Sequence, residues 1–110
     1  MNDESRTPVM QRIADHYGLE SRMALLEEEC AELIQAISKL RRAGNWPPET
    51  PEGRQRYIMA RTNLSEEMAD VQNLLLQTAY LLGNSSMVEF WWDHKLERTI
   101  GDMKKEERDG

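Results

Sequence analysis

The sequence predicts an all-α protein, a bundle of three long helices with a shorter helix at the N-terminus. Leu, Met and Ala are plentiful whereas Val and Ile are few, and this composition favours helix over sheet. Apolar residues recur at three- and four-residue intervals, which is the spacing of one face of a helix. With 110 residues the chain is expected to form a single domain, covering residues 1–110.

The first predicted helix is short. Thr7 and Pro8 are typical of an N-cap followed by proline at the first helical position, so residues 1–7 are expected to be frayed. Gly18 provides the stop, because glycine readily adopts the conformation that ends a helix. The apolar side of this helix consists of Val9, Ile13 and Tyr17.

The second predicted helix is longer than the first, and its pattern is clearer. It begins near Glu20 or Ser21 and continues to Ala43, and Gly44 follows its end. Residues 45–53 then contain three of the four prolines and cannot be helical throughout. We therefore expect one substantial loop here.

Residues 54–82 form the third helical region, and two starting points are open. Asn63 and Glu66 have the spacing of a capping box, which would begin a new helix at Asn63. Apolar residues before that point favour one continuous helix that begins near Gly53: Tyr57, Ile58 and Ala60. Of the two, we expect the continuous helix.

The last helix is predicted to run from Met87 to about Lys105, after a Gly-Asn-Ser turn. Ser86 and Glu89 have the spacing of a capping box at its start. Residues 106–110 are a mixed charge run and are expected to be a solvated, frayed end.

Three long amphipathic helices leave an apolar side that a single chain cannot cover. Helical bundles bury such sides by association, and most soluble oligomers are symmetric assemblies of one chain. The sequence therefore predicts a bundle that is completed by homo-oligomerisation.

Two acidic helical segments carry the candidate chemistry. Glu29 with Glu32, and Glu67 with Asp70, are carboxylate pairs three residues apart, so each pair lies on one side of its helix. Helical phase places both pairs within or at the edge of the apolar stripe of their helix. The preceding acids, Glu28 and Glu66, point outward and are candidates only for supporting roles.

Carboxylates directed toward a core must be protonated or bind a cation. Hard divalent cations prefer oxygen ligands, which favours Mg²⁺, with Mn²⁺ as a substitute. Glu29, Glu32, Glu67 and Asp70 are thus the predicted metal ligands and catalytic residues. The alternative is that they are ordinary solvated acids on helix surfaces.

The same residues carry a family resemblance. Glu28-Glu29-x-x-Glu32 followed by Glu66-Glu67-x-x-Asp70 resembles the signature of the MazG-like nucleotide pyrophosphohydrolases. That all-α superfamily includes dimeric dUTPases and phosphoribosyl-ATP pyrophosphohydrolases. The resemblance covers about residues 20 to 100, and it implies a homodimer or a homotetramer built as a dimer of dimers.

The resemblance also implies an activity. We expect Mg²⁺-dependent hydrolysis of a nucleoside triphosphate between its α and β phosphates, giving a nucleoside monophosphate and pyrophosphate. Two alternatives stay open. One is another enzyme of the superfamily, of the dUTPase or phosphoribosyl-ATP pyrophosphohydrolase type. The other is a non-catalytic helical interaction module.

Five further residues are predicted to bind substrate. Lys95 and Arg98 lie three apart on the last helix and are suited to phosphate. MazG-like proteins often show a K-L-x-x-R segment there, which contributes to phosphate binding. They commonly have Asn three residues before the Lys, where this chain has Trp92. The other three candidates are Lys39 for phosphate, Asn73 for the nucleoside and Trp46 in the loop.

The net charge and the cysteine content limit which partners and which cellular compartment can be expected. A net charge of -6 makes a nucleic-acid polymer an unsuitable partner. Cys30 is the only cysteine, so no intrachain disulfide can form, and a reduced, cytoplasmic location is expected. The N-terminus lacks the pattern of a signal peptide, and no apolar run is long enough for a membrane span.

Overall fold

A computed structural model of the protein describes residues 1–44 and 48–110, and this part of the chain contains no β-strand. It forms α1 (Asp3–Tyr17), α2 (Leu19–Arg42), α3 (Pro51–Leu82) and α4 (Ser85–Asp109). The all-α prediction is therefore confirmed. None of these helices combines the length and apolar character that crossing a membrane requires.

The first helix begins earlier than the sequence pattern predicts. The side chain of Asn2 accepts a hydrogen bond from the backbone N–H of Ser5 at 2.9 Å. The Ser5 hydroxyl in turn accepts one from the N–H of Asn2 at 3.0 Å, which completes a capping box. The predicted start at Thr7 and Pro8 is too late, and Pro8 lies inside α1.

The third helix is continuous, as expected, and its start is tightly built. Thr50 is the N-cap, and its hydroxyl accepts a hydrogen bond from the N–H of Gly53 at 3.0 Å. A Cβ atom on Gly53 would lie 3.0 Å from the Thr50 hydroxyl and 3.3 Å from Cβ of Pro48. Glycine at this position lets the preceding loop pack closely against the first turn.

The turn into the last helix differs from the prediction. Gly83 has the left-handed conformation, with φ of 69°, and ends α3. Helix α4 begins at Ser85 with Asn84 as its N-cap, and no side chain forms a capping hydrogen bond there. The predicted capping box of Ser86 and Glu89 is therefore wrong, and α4 extends to Asp109.

The core lies where α1, α2 and α3 meet. Ala14 of α1, Ala36 of α2 and Leu74 of α3 are its buried apolar residues among those described. The two alanines have small side chains, which lets the helix backbones approach each other. This packing brings α2 and α3 together along most of their lengths and so positions the acidic segments.

A buried arginine joins the three helices at one end of this core. Arg22 is only 8% exposed, and its guanidinium lies 4.3 Å from the centre of the Tyr17 ring. The same guanidinium donates a hydrogen bond to the side-chain oxygen of Gln77 at 3.4 Å. Nearby, the Tyr80 hydroxyl donates to the carboxylate of Asp15 at 2.9 Å. Cation–π and polar contacts therefore link α1 and α2 to α3.

Helix α4 stands largely apart from this core. Within the described chain it packs only against α3, and each of its residues is exposed. The molecule measures 48 × 42 × 26 Å, and its radius of gyration is 18.3 Å. A compact chain of this length would have a radius of gyration of roughly 13 Å. The bundle within one chain is thus formed by α1, α2 and α3, and α4 extends away from it.

Candidate metal centre

Helices α2 and α3 form an antiparallel hairpin that positions the acidic segments. Arg22 meets Gln77 near the start of α2. Glu29 meets Glu67 near its middle, and Lys39 shares a cavity with Asn63 near its end. Residue numbers thus rise along α2 while they fall along α3. Because of this pairing, acids about 40 residues apart in sequence lie side by side.

Three carboxylates converge on the groove of this hairpin. Glu29 and Glu32 of α2 and Glu67 of α3 each offer one oxygen, and these oxygens all lie within 4.8 Å of one another. Glu29 and Glu67 are half-buried, whereas Glu32 is exposed. Three of the four predicted ligands therefore form one group. It has two members inside the groove and one at its rim.

Two oxygens of this group are left without a partner. The Oε2 atoms of Glu29 and Glu67 are buried, and neither has a hydrogen-bond donor. Burying an unpaired ionised carboxylate is costly, so such atoms need a proton or a cation. The arrangement is one that a bound cation would satisfy.

The neighbouring carboxyl groups raise the pKa of Glu29 from an ordinary value of 4.5 to about 7. The largest cause is the neighbouring carboxyl group of Glu67, to which Glu29 can donate a hydrogen bond only when it is protonated. Partial burial and the negative charges of Glu32 and Asp70 raise it further. Without a cation, the group therefore holds a proton near neutral pH.

Asp70, the fourth predicted ligand, lies about one turn further along α3 than Glu67. It is exposed and lies outside the group of three, yet its charge acts on Glu29. The outer acids Glu28 and Glu66 are both exposed, as their helical phase predicts.

The residues present fit a hard divalent cation. The donors are all carboxylate oxygens, with no histidine or cysteine in the group, and Mg²⁺ and Mn²⁺ prefer such ligands. Glu29, Glu32 and Glu67 would hold the ion from two helices. Asp70 would complete the shell directly or through water.

Lys39 lies on the same hairpin but in a separate cavity. This cavity has a volume of about 450 Å³ and lies between the end of α2 and the first half of α3. Arg42, Arg56 and Asn63 line it together with Lys39. The sequence interpretation missed these three residues, although the concentration of Lys and Arg between positions 39 and 61 is visible in the sequence.

Asn73 lies on a different side of α3. It lines a cavity of about 710 Å³ between α1, α3 and α4, together with Gln72 and Trp92. On α3, the cavity residues Ala69, Gln72, Asn73 and Leu76 form one face, and Glu67 and Leu74 lie on another. Asn73 is therefore not brought together with the group of three carboxylates in one chain.

Lys95 and Arg98 are exposed on α4. Lys95 lines a cavity of about 420 Å³ with residues of its own helix and of the preceding turn, among them Asn84, Val88 and Trp91. The described chain does not group Lys95 or Arg98 with the carboxylates. Trp46 lies outside the described residues. The predicted substrate-binding roles of all three stay predictions.

Comparison of the chain with models of known protein families, with characterised proteins and with solved structures found no match.

Proposed function

We propose that this protein is a Mg²⁺-dependent nucleoside triphosphate pyrophosphohydrolase of the MazG-like type. It would hydrolyse the bond between the α and β phosphates and release a nucleoside monophosphate and pyrophosphate. Two observations support the proposal. The acidic motifs resemble those of this superfamily, and the fold brings Glu29, Glu32 and Glu67 within 4.8 Å of one another.

The observation that carries the proposal is the pair of buried, unpartnered oxygens on Glu29 and Glu67. Solvated acids on a helix surface would turn their oxygens to water and leave none buried. A helical interaction module would have no reason to place two such oxygens between its packed helices. The geometry therefore favours a cation site over a solvated acidic face.

The roles of the residues follow from their positions. Glu29, Glu32, Glu67 and Asp70 would hold the metal at the middle of the hairpin. Bound Mg²⁺ supplies charge neutralisation at the phosphates and lowers the pKa of a bound water. A carboxylate that is not fully engaged as a ligand would orient the attacking water or accept its proton. Glu32 and Asp70, which are exposed at the rim, would be the candidates for that second role.

Pyrophosphate release from a panel of nucleotides tests this function. The panel would include the common ribo- and deoxyribonucleoside triphosphates, dUTP and phosphoribosyl-ATP, each with Mg²⁺. Glu67→Ala should lower kcat by about two orders of magnitude or more, since it removes a group on which transition-state charge stabilisation depends. Glu27→Ala is the matched control, because Glu27 is an exposed acid of the same segment outside the group.

The panel also separates the alternatives. Hydrolysis restricted to dUTP or to phosphoribosyl-ATP would assign the corresponding activity within the superfamily. A helical interaction module would release no pyrophosphate from any member of the panel and would show no Mg²⁺-dependent change in stability.

Self-association is part of the proposal. The accessible surface of one chain is 8985 Å², whereas a compact monomer of this mass would expose roughly 6,300 Å². Much of the apolar surface lies on α4: Met87, Val88, Phe90, Trp91, Trp92, Leu96, Ile100 and Met103. A homodimer or homotetramer would cover it. Such an assembly is also the route by which Lys95 and Arg98 could approach a carboxylate group.

A further inference from the structure

The cavity at the loop end of the hairpin is lined by three cations. Lys39 and Arg42 reach it from the end of α2, and Arg56 reaches it from α3. Among the described residues, no ion pair is seen for Lys39, Arg42 or Arg56. The cavity has a volume of about 450 Å³, and Asn63 adds an amide to its wall.

Positive charge is concentrated around this cavity although the chain as a whole is acidic, with a net charge of -6. Residues 39–61 contain two acids, Glu49 and Glu52. The same stretch contains six basic residues: Lys39, Arg41, Arg42, Arg54, Arg56 and Arg61. The hairpin therefore carries its carboxylates near the middle and its cations near the loop.

Helix dipoles explain only part of this concentration. Cations in the last turn of a helix are favourable, and this accounts for Lys39 and Arg42 at the end of α2. Arg56 lies within the first two turns of α3, where the helix end is positive and a cation gains nothing from the dipole. Three cations facing one cavity also repel each other. An anion in the cavity would remove that repulsion.

The cavity opens on the same side of the hairpin as the exposed carboxylates. Lys39 follows Glu32 by seven residues on α2, and Asn63 precedes Asp70 by seven residues on α3. Seven residues are nearly two turns, so each pair projects from the same side of its helix. The rise of a helix places the cavity about 10 Å along the groove from the carboxylates.

We propose that this basic cavity binds the terminal phosphates of the substrate, the two that leave as pyrophosphate. This inference rests on the proposed function. Arginine forms paired hydrogen bonds with phosphate oxygens, and both arginines of the cavity are exposed. The α phosphate would lie at the carboxylates, and the β and γ phosphates would extend toward Lys39, Arg42 and Arg56.

Binding of inorganic pyrophosphate, measured by calorimetry with Mg²⁺ at fixed ionic strength, tests the cavity. Arg42→Ala and Arg56→Ala should each raise the dissociation constant about tenfold or more, as expected for loss of a charge-assisted contact. Arg41→Ala is the matched control. It removes the neighbouring arginine, which lies about 100° further around α2 and outside the cavity.

Two further variants, Arg56→Lys and the Arg42→Ala/Arg56→Ala double variant, test whether the cavity causes the change in pyrophosphate affinity. Both cavity arginines are exposed, so the alanine variants should fold, and Arg56→Lys should recover only part of the lost affinity. If the Arg42→Ala/Arg56→Ala double variant binds pyrophosphate as tightly as Arg41→Ala, the cavity proposal is overturned. Nucleotide hydrolysis and the effect of Glu67→Ala would then decide the proposed function separately. If pyrophosphate binding depends on both arginines but the protein hydrolyses no nucleotide, the proposed function is contradicted and the anion site is supported.

Discussion

Glu29 is the residue whose chemistry the fold changes most. The carboxyl group of Glu67 across the hairpin, partial burial and the charges of Glu32 and Asp70 together raise its pKa to about 7. Near neutral pH the metal-free residue is therefore partly protonated. In the proposed metal site a cation would replace this proton, and each of the two states has a testable effect on stability.

The first prediction concerns the metal-free protein. Between pH 4.5 and about 7 the folded chain retains a proton on Glu29 that the unfolded chain has lost. Folding stability should fall as pH rises through that window and stay reduced above it, because the unfolded state binds fewer protons there. Glu29→Gln should remove this dependence. Thermal unfolding in chelator from pH 4 to pH 8 measures it, and parallel curves for the two proteins would contradict the assignment.

The second prediction concerns the metal itself. A ligand that binds only the folded state raises the melting temperature by mass action. Mg²⁺ or Mn²⁺ should therefore raise the Tm of the protein, and Glu29→Gln or Glu67→Gln should abolish the increase. Glu27→Gln should keep it. An increase of the same size in all variants would remove the metal-site assignment.

At the level of elements, local patterns in the sequence predicted the helices well and their ends less well. The continuity of α3 followed from its apolar residues. Helical phase placed all four acids in or at the edge of an apolar stripe; Glu29 and Glu67 are half-buried, whereas Glu32 and Asp70 are exposed. The start of α1 was misplaced because Pro8 is typical of a first helical position, whereas the Asn2–Ser5 capping box begins the helix five residues earlier.

Such local patterns could not predict contacts between segments that are distant in the sequence. Arg56 and Asn63 join Lys39 in one cavity only because the hairpin closes, and periodicity within one helix contains no information on that pairing. For the same reason, the sequence pattern could not show that α4 lies apart from the core. Its apolar stripe is typical of a packed helix, yet within the described chain α4 packs only against α3.

The third prediction tests the hairpin packing that supports the site. Leu74 is 4% exposed and lies on the same face of α3 as Glu67. Leu74→Ala should lower the free energy of unfolding by about 2 to 5 kcal/mol, because it leaves a cavity between packed helices. Leu75→Ala, at a neighbouring exposed position, should change it much less. Chemical denaturation compares the two, and equal losses would show that Leu74 is not a core residue.

At the level of the whole molecule, the excess of exposed surface is the dominant property. One chain buries little apolar surface beyond the contact of α1, α2 and α3, and eight large apolar side chains of α4 are exposed. Large exposed apolar patches mark interaction sites, and this surface is the reason for the self-association proposal.

The fourth prediction is that the protein sediments as a dimer or larger at micromolar concentration. Leu96→Asp and Ile100→Asp should shift it toward the monomer, since they place charges within the apolar stripe of α4. Lys105→Gln, nine residues after Leu96 and therefore on the opposite side of α4, should leave the assembly unchanged. Analytical ultracentrifugation measures all three, and a monomeric wild-type protein would contradict the self-association proposal.

The seven-residue spacings on α2 and α3 would make the hairpin a molecular ruler. Each helix rises about 1.5 Å per residue and cannot shorten without breaking its hydrogen bonds, so the backbone separation between the carboxylates and the cations is fixed. A chain of three phosphates would extend further from the carboxylates toward the cations than a diphosphate, which has one phosphate fewer. The site would then discriminate between substrates by the length of their phosphate chain, without any contact to the base.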